Sequence, residues 1–224
     1  MIAEVGAWTN PLQDSERGTR SEALAKCKRA LYVADESGAR CAVNISGSRG
    51  AKWDGPDPKN LSSETWQMIV ESVREIIDEV EPKRSFYTLE PMPWMYPCDI
   101  ETQRRLIRDI NRRAFAVHFD PVNMIYSPGT YYANGAFMSD FIREFGDLIK
   151  AVHAKDTFFD SSLTLHFHER RPGLGALDYR ALLSALDGLD PDMPLIIEHL
   201  KEDAEYALGA AYIRETASAI AVEL

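Results

Sequence analysis

The sequence predicts an α/β fold, a parallel sheet with helices packed on it. Short strand-like apolar runs alternate with longer stretches of helical periodicity, and the alternation recurs six times. The helical stretches are long enough to serve as the crossovers that parallel strands require. Composition agrees: of 224 residues, 45% are hydrophobic and 27% charged, as in an ordinary folded chain with one core. A single domain over residues 1–224 is expected. Periodicity leaves two architectures open, a (β/α) barrel and an open doubly wound sheet. No glycine-rich phosphate loop follows the first strand, which counts against a nucleotide-binding sheet. Gly173 and Gly175 follow a loop rather than a strand and read as a turn.

The elements follow in order. Ile2–Trp8 is the first strand. Leu24, Cys27, Leu31 and Ala34 step by three and four, the stripe of an amphipathic helix, and Gly38 supplies a left-handed cap. Arg40–Ser46 is the second strand. Trp66, Ile69, Val70, Val73, Ile76, Ile77 and Val80 mark the second helix, closed by Pro82. Phe86–Glu90 is the third strand, and Asp99 caps a helix through Leu106, Ile107 and Ile110. Phe115–Asp120 is the fourth strand, followed by a helix carrying Phe137, Phe141, Phe145 and Leu148. Lys150–Lys155 is the fifth strand. Residues 157–177 read as a long polar loop, a length usually functional or mobile. Asp178 caps a helix with Leu182, Leu183 and Leu186; Leu195–Glu198 is the sixth strand and 202–222 the closing helix.

Charge and composition exclude several classes. The balance of 25 Lys+Arg against 35 Asp+Glu gives −10, a poor match to a phosphate backbone. No stretch approaches the ~20 consecutive apolar residues of a membrane span. The start, MIAEVGAW, lacks the basic region and long apolar core of a signal peptide. A soluble, cytoplasmic protein is expected, with no membrane and no nucleic acid among its partners. Cys27, Cys41 and Cys98 form neither a metal spacing nor a paired framework and read as buried side chains in a reducing compartment.

The chemistry collects at strand ends. Glu90, Asp120, His153 and Glu198 each close an apolar run, where a parallel strand delivers side chains to the C-terminal mouth of a sheet. Alternation puts Thr88 and Phe86 on the face of Glu90, His118 and Ala116 on that of Asp120, and Ile196 on that of Glu198. Three carboxylates on one cavity repel one another and raise each other's pKa. A divalent cation removes the conflict, and three carboxylates with one imidazole suit Mn²⁺ or Mg²⁺ better than a thiolate-seeking metal. The plainer account is a set of salt bridges with Arg170 and Arg171.

These motifs resemble the xylose isomerase-like sugar phosphate isomerase/epimerase family of metal-dependent TIM barrels. The carriers are LEPMPW at 89–94, HFDPVNM at 118–124, VHAKD at 152–156, RPGLGALDY at 171–179 and PLIIEHL at 194–200, in the family's order. The resemblance implies a metal held by Glu90, Asp120, His153 and Glu198, with Mn²⁺ first and Mg²⁺ or Co²⁺ as alternatives. It further implies that Glu90 and Glu198 act as bases on the two faces of a sugar or polyol. The reaction implied is proton abstraction next to a carbonyl, through an enediolate, by a sugar isomerase or epimerase in carbohydrate metabolism. Two positions depart from the family's epimerases. Asn123 stands where many carry a histidine, and Tyr96 where some carry a second glutamate. The family barrel has eight strand–helix units and usually needs ~250 residues; six are counted here. An N-terminally incomplete barrel is therefore expected, the first two units missing and the first and last strands left with open edges.

Substrate contacts are expected from His118, one layer beneath Asp120, from Asn123, and from Trp8 and Asn44 at the ends of the first two strands. His168 and Arg171 are expected to reach substrate oxygens from the 157–177 loop. Lys155 and Asp156 read as an ion pair, and His199 faces away from Glu198 toward packing or solvent. Two other activities fit the same scaffold: a lyase dehydrating a keto-inositol, and a non-catalytic sugar-binding relative. A metal-cluster nuclease does not fit five histidines and a charge of −10. A homo-oligomer is a further expectation.

Overall fold

The computed structural model describes residues 1–224 as two units, Met1–Phe119 and Asp120–Leu224. The first comprises β1 (Glu4–Gly6), α1 (Arg20–Ser37), β2 (Cys41–Asn44), α2 (Ser63–Val80), β3 (Phe86–Leu89), α3 (Ile100–Ile110) and β4 (Phe115–Phe119). Its strands run parallel in the order β1-β2-β3-β4, with Val5 opposite Ala42, Ala42 opposite Tyr87 and Tyr87 opposite Phe115. Helix ends follow the capping chemistry. Thr19 and Glu22 form a capping box at α1, Ser62 caps α2, and Asp99 with Thr102 caps α3. Gly38 closes α1 with φ 73, a left-handed conformation natural to glycine. The apolar stripes meet as expected: Leu24, Cys27, Leu31 and Ala34 of α1 pack with Trp66, Ile69, Val73 and Ile76 of α2 and with Tyr87 and Leu89 of β3. Each fully buried leucine, isoleucine or valine of this set contributes about 1.5–3 kcal/mol.

The second unit comprises α4 (Pro128–Tyr132), α5 (Asn134–Phe145), β5 (Ile149–Ala154), β6 (Asp156–Asp160), β7 (His166–Arg170), α6 (Tyr179–Leu186), β8 (Leu195–Ile197) and α7 (Asp203–Ser218). β5 and β8 are parallel, with His153 opposite Ile196. Phe141, Phe145, Ile149, Val152, Leu182 and Leu183 are buried. The six parallel strands and their helices match the six units expected from the sequence. All three cysteines are free and buried, as expected. No helix is long and apolar enough to cross a membrane.

Two expectations are corrected. The 157–177 segment is no featureless loop, because β6 and β7 form an antiparallel hairpin with Phe159 opposite Phe167, their rings stacked at 4.7 Å. The first strand ends at Gly6 rather than Trp8, which adopts φ 43 and folds its indole back over Gly6. A Cβ at Gly6 would lie 2.0 Å from the Trp8 ring nitrogen, so any side chain there would displace the indole.

Candidate metal centre

Three strand-end side chains converge in the second unit. Asp120 follows β4, His153 lies in β5, and Glu198 follows β8. One ligand atom from each lies within 4.8 Å of the others. His153 Nδ1 is 2.9 Å from Glu198 Oε1 and 3.5 Å from Asp120 Oδ2. Asp120 and His153 are buried, and Glu198 is partly so. Local backbone explains the aim of Asp120. Its Oδ1 accepts the N–H groups of Val122 and Asn123 at 3.1 and 3.2 Å. That turn fixes the carboxylate with Oδ2 toward His153.

The centre holds a cation of its own. Lys155, 1% exposed, places Nζ 2.7 Å from Asp120 Oδ2 and 2.6 Å from Glu198 Oε1. Glu169 Oε2 of β7 is 3.6 Å from the same ammonium and 3.1 Å from His199 Nδ1. Burial pushes the Glu198 carboxyl up, but the His153 hydrogen bond and the Lys155 charge outweigh it and bring the group below its ordinary value. The hydrogen bond to Glu169, opposed by burial, raises His199 above the usual histidine range. His199 has φ 60 and lies toward solvent, as expected, while also approaching Glu198 Oε2 at 3.6 Å.

The arginines expected in the plainer account are not the counter-ions of this cluster. Arg171 Nε pairs with Glu205 of α7 at 2.8 Å. Lys155 and Asp156 do not pair with each other, because successive residues on an extended chain point to opposite sides. Asp156 instead accepts N–H groups from Thr157, Gly173, Gly175 and Leu177 at 2.8–3.0 Å. The Gly173–Gly175 segment is therefore a turn wrapped on a carboxylate. His168 sits half-exposed on the hairpin, 3.8 Å from Asp160 across the strand pair.

The first unit holds the remaining expected residues. Glu90 lies one residue beyond β3, 5% exposed, its N–H donating to Asn44 O at 2.8 Å. His118 is fully buried and bonded through Nε2 to Glu4 Oε2 at 2.9 Å. Asn44 does not offer its amide to a ligand: Oδ1 accepts from Thr9 N at 3.0 Å and Nδ2 donates to Thr9 O at 3.1 Å. The amide thus holds the chain leaving β1. Trp8 packs with Ile45, Trp53 and Met95.

Lys155 is the residue whose partners sequence reasoning misjudged, having paired it with Asp156 rather than with Asp120 and Glu198. The signal was present: it stands two residues after His153, and side chains two apart on a strand share a face. The donor set fits a divalent cation. Two carboxylate oxygens and an imidazole nitrogen, largely withdrawn from water, are hard-to-borderline ligands at mutual distances that one ion can span.

Comparison with known proteins agrees with this architecture. No curated protein sequence matches the chain. Among solved structures, 3-keto-D-glucoside 4-epimerase YcjR from E. coli superposes with TM-score 0.68 at 16% identity, over 96% of this chain and 79% of that one. The probable 3-DHS dehydratase AsbF from Bacillus anthracis gives 0.68 at 14% identity, over 95% and 75%. A xylose isomerase-like TIM barrel protein from Mycobacterium smegmatis, in complex with magnesium, gives 0.66 at 16% identity, over 90% and 69%. The family model for the xylose isomerase-like TIM barrel matches residues 6–216. On that match the chain belongs to the xylose isomerase-like TIM barrel family.

Proposed function

We propose that the protein is a divalent-metal-dependent isomerase or epimerase of a small sugar or polyol. The observation that carries this reading is the convergence of Asp120, His153 and Glu198 within 4.8 Å at strand ends. Those three would hold the ion, and the family's order of motifs assigns Glu90 the fourth place. Mn²⁺ is the ion proposed, since the donors are mixed oxygen and nitrogen. When bound, such an ion supplies a Lewis acid that polarises a carbonyl.

The protein's own groups then handle the proton. Without a metal, burial raises the Glu198 carboxyl but its contacts with His153 and Lys155 bring it below its ordinary value; a bound divalent ion would act in the same direction, so a carboxylate is available to accept a proton from the carbon beside the carbonyl. Glu90 is assigned the opposite side of the substrate, where it returns a proton. His153 Nδ1 lies 2.9 Å from Glu198 Oε1, so a metal held by the imidazole would sit against the carboxylate that takes the proton. Asn123 is assigned a hydrogen bond to a substrate hydroxyl, and its amide cannot serve as a general acid or base. That limit supports a second reading, dehydration of a keto-inositol-type substrate, which begins with the same proton removal.

The test is deuterium incorporation from heavy water into a panel of ketoses and inososes with Mn²⁺ added. The reading predicts label at the carbon next to the carbonyl, abolished in Glu198→Gln, which lacks the group that removes the proton. Loss of water in the product selects the dehydratase. Metal uptake with no exchange on any substrate would leave only a sugar-binding role and refute the enzyme.

A further inference from the structure

The Lys155 ammonium lies against the same two oxygen atoms that the metal reading requires, 2.7 Å from Asp120 Oδ2 and 2.6 Å from Glu198 Oε1. A lysine only 1% exposed is uncommon unless its charge is matched, and here two carboxylates match it. A monocation and a dication about 4 Å apart in a poorly solvated site repel strongly. Sharing those oxygens weakens the hold on either cation. The structure also provides a second position for the ammonium. Glu169 Oε2 is 3.6 Å from Nζ and 3.1 Å from His199 Nδ1, on an exposed residue of β7. A small rotation of the lysine end exchanges one carboxylate partner for another without leaving the charge bare.

We propose that Lys155 is a built-in counter-cation that competes with the divalent ion for Asp120 Oδ2 and Glu198 Oε1 and transfers to Glu169 when that ion binds. The inference rests on the reading of Asp120, His153 and Glu198 as metal ligands. It makes Lys155 a positioning residue with two consequences. The two carboxylates stay convergent without a metal, because the ammonium screens their repulsion. Ion choice is also sharpened: a monovalent ion gains nothing over the ammonium already there, whereas a divalent ion does.

The experiment is calorimetric titration with Mn²⁺, paired with thermal unfolding with and without Mn²⁺, on wild type, Lys155→Met, Glu169→Gln and the double variant. Lys155→Met should bind Mn²⁺ roughly tenfold more tightly, a shift typical of losing one competing ion pair, while melting lower without metal. Glu169→Gln should bind roughly tenfold more weakly, and this effect should vanish in the Lys155→Met background. Wild type that binds Mn²⁺ with Lys155→Met unchanged or weaker would overturn the proposal and leave the metal centre standing. Equal effects of Glu169→Gln in both backgrounds would also overturn it. Wild type that binds no Mn²⁺ overturns the metal reading and this inference together. Should Lys155→Met fail to fold, Glu169→Gln decides alone: unweakened binding refutes the transfer.

Discussion

Replacing Asp156 with alanine removes one carboxylate that four backbone N–H groups share, those of Thr157, Gly173, Gly175 and Leu177. The side chain is 1% exposed, so water does not stand ready to substitute. A hydrogen bond to a charged group contributes about 1.5–3 kcal/mol, but bonds sharing one acceptor do not add fully. Burial also pushes the Asp156 carboxyl up, and the N–H groups offset only part of that cost. We expect a loss of about 3–4 kcal/mol on this basis, or a fall of roughly 10 °C in melting temperature for a chain of this size. Asp156→Asn keeps one acceptor oxygen. It should retain the pair on that side, Thr157 with Leu177 or Gly173 with Gly175, and fall between wild type and alanine. Urea unfolding followed by tryptophan fluorescence reads the difference. An alanine variant within about 0.5 kcal/mol of wild type, the range of an ordinary surface change, would refute the view that this carboxylate organises the turn after β7.

Phe141 is fully buried on α5, its ring 4.7 Å from that of Phe145; Phe141→Ala should cost about 3–5 kcal/mol in the same unfolding assay. Asp35 accepts N–H groups from Lys83, Arg84 and Ser85 at 2.6–3.0 Å ahead of β3. Slight burial raises its carboxyl and the three N–H groups overcome that, so its folded pKa is lowered. The stabilisation is therefore present above the unfolded value and lost as pH falls through the folded one. The stability gap between wild type and Asp35→Asn should be open near neutral pH and close below about pH 3.9.

Much of the scaffold was legible because burial and period coincide. The α2 stripe from Trp66 to Ile77 is buried as read, and Asp99 and Asp178 cap helices as expected. The β6–β7 hairpin was not legible. DTFFD and HFHER place aromatics next to one another rather than alternating them, and the connecting SSLTL carries no Asn-Gly turn signal. Strand-end identity pointed to Asp120, His153 and Glu198, which meet, but identity alone does not give direction. Asn44 ends a strand just as they do, yet a neighbouring backbone at Thr9 takes its amide. Arg171 was read for its charge, and Glu205, 34 residues later on α7, claims it. Such partners depend on contacts across long separations that residue type and spacing do not encode.

The account's central claim is tested most directly by counting bound Mn²⁺ per chain, by elemental analysis after dialysis, in wild type and in His153→Ala. One ion per chain that is lost on removing the imidazole is the predicted result. Equal metal content in both proteins, or none in wild type, would contradict it.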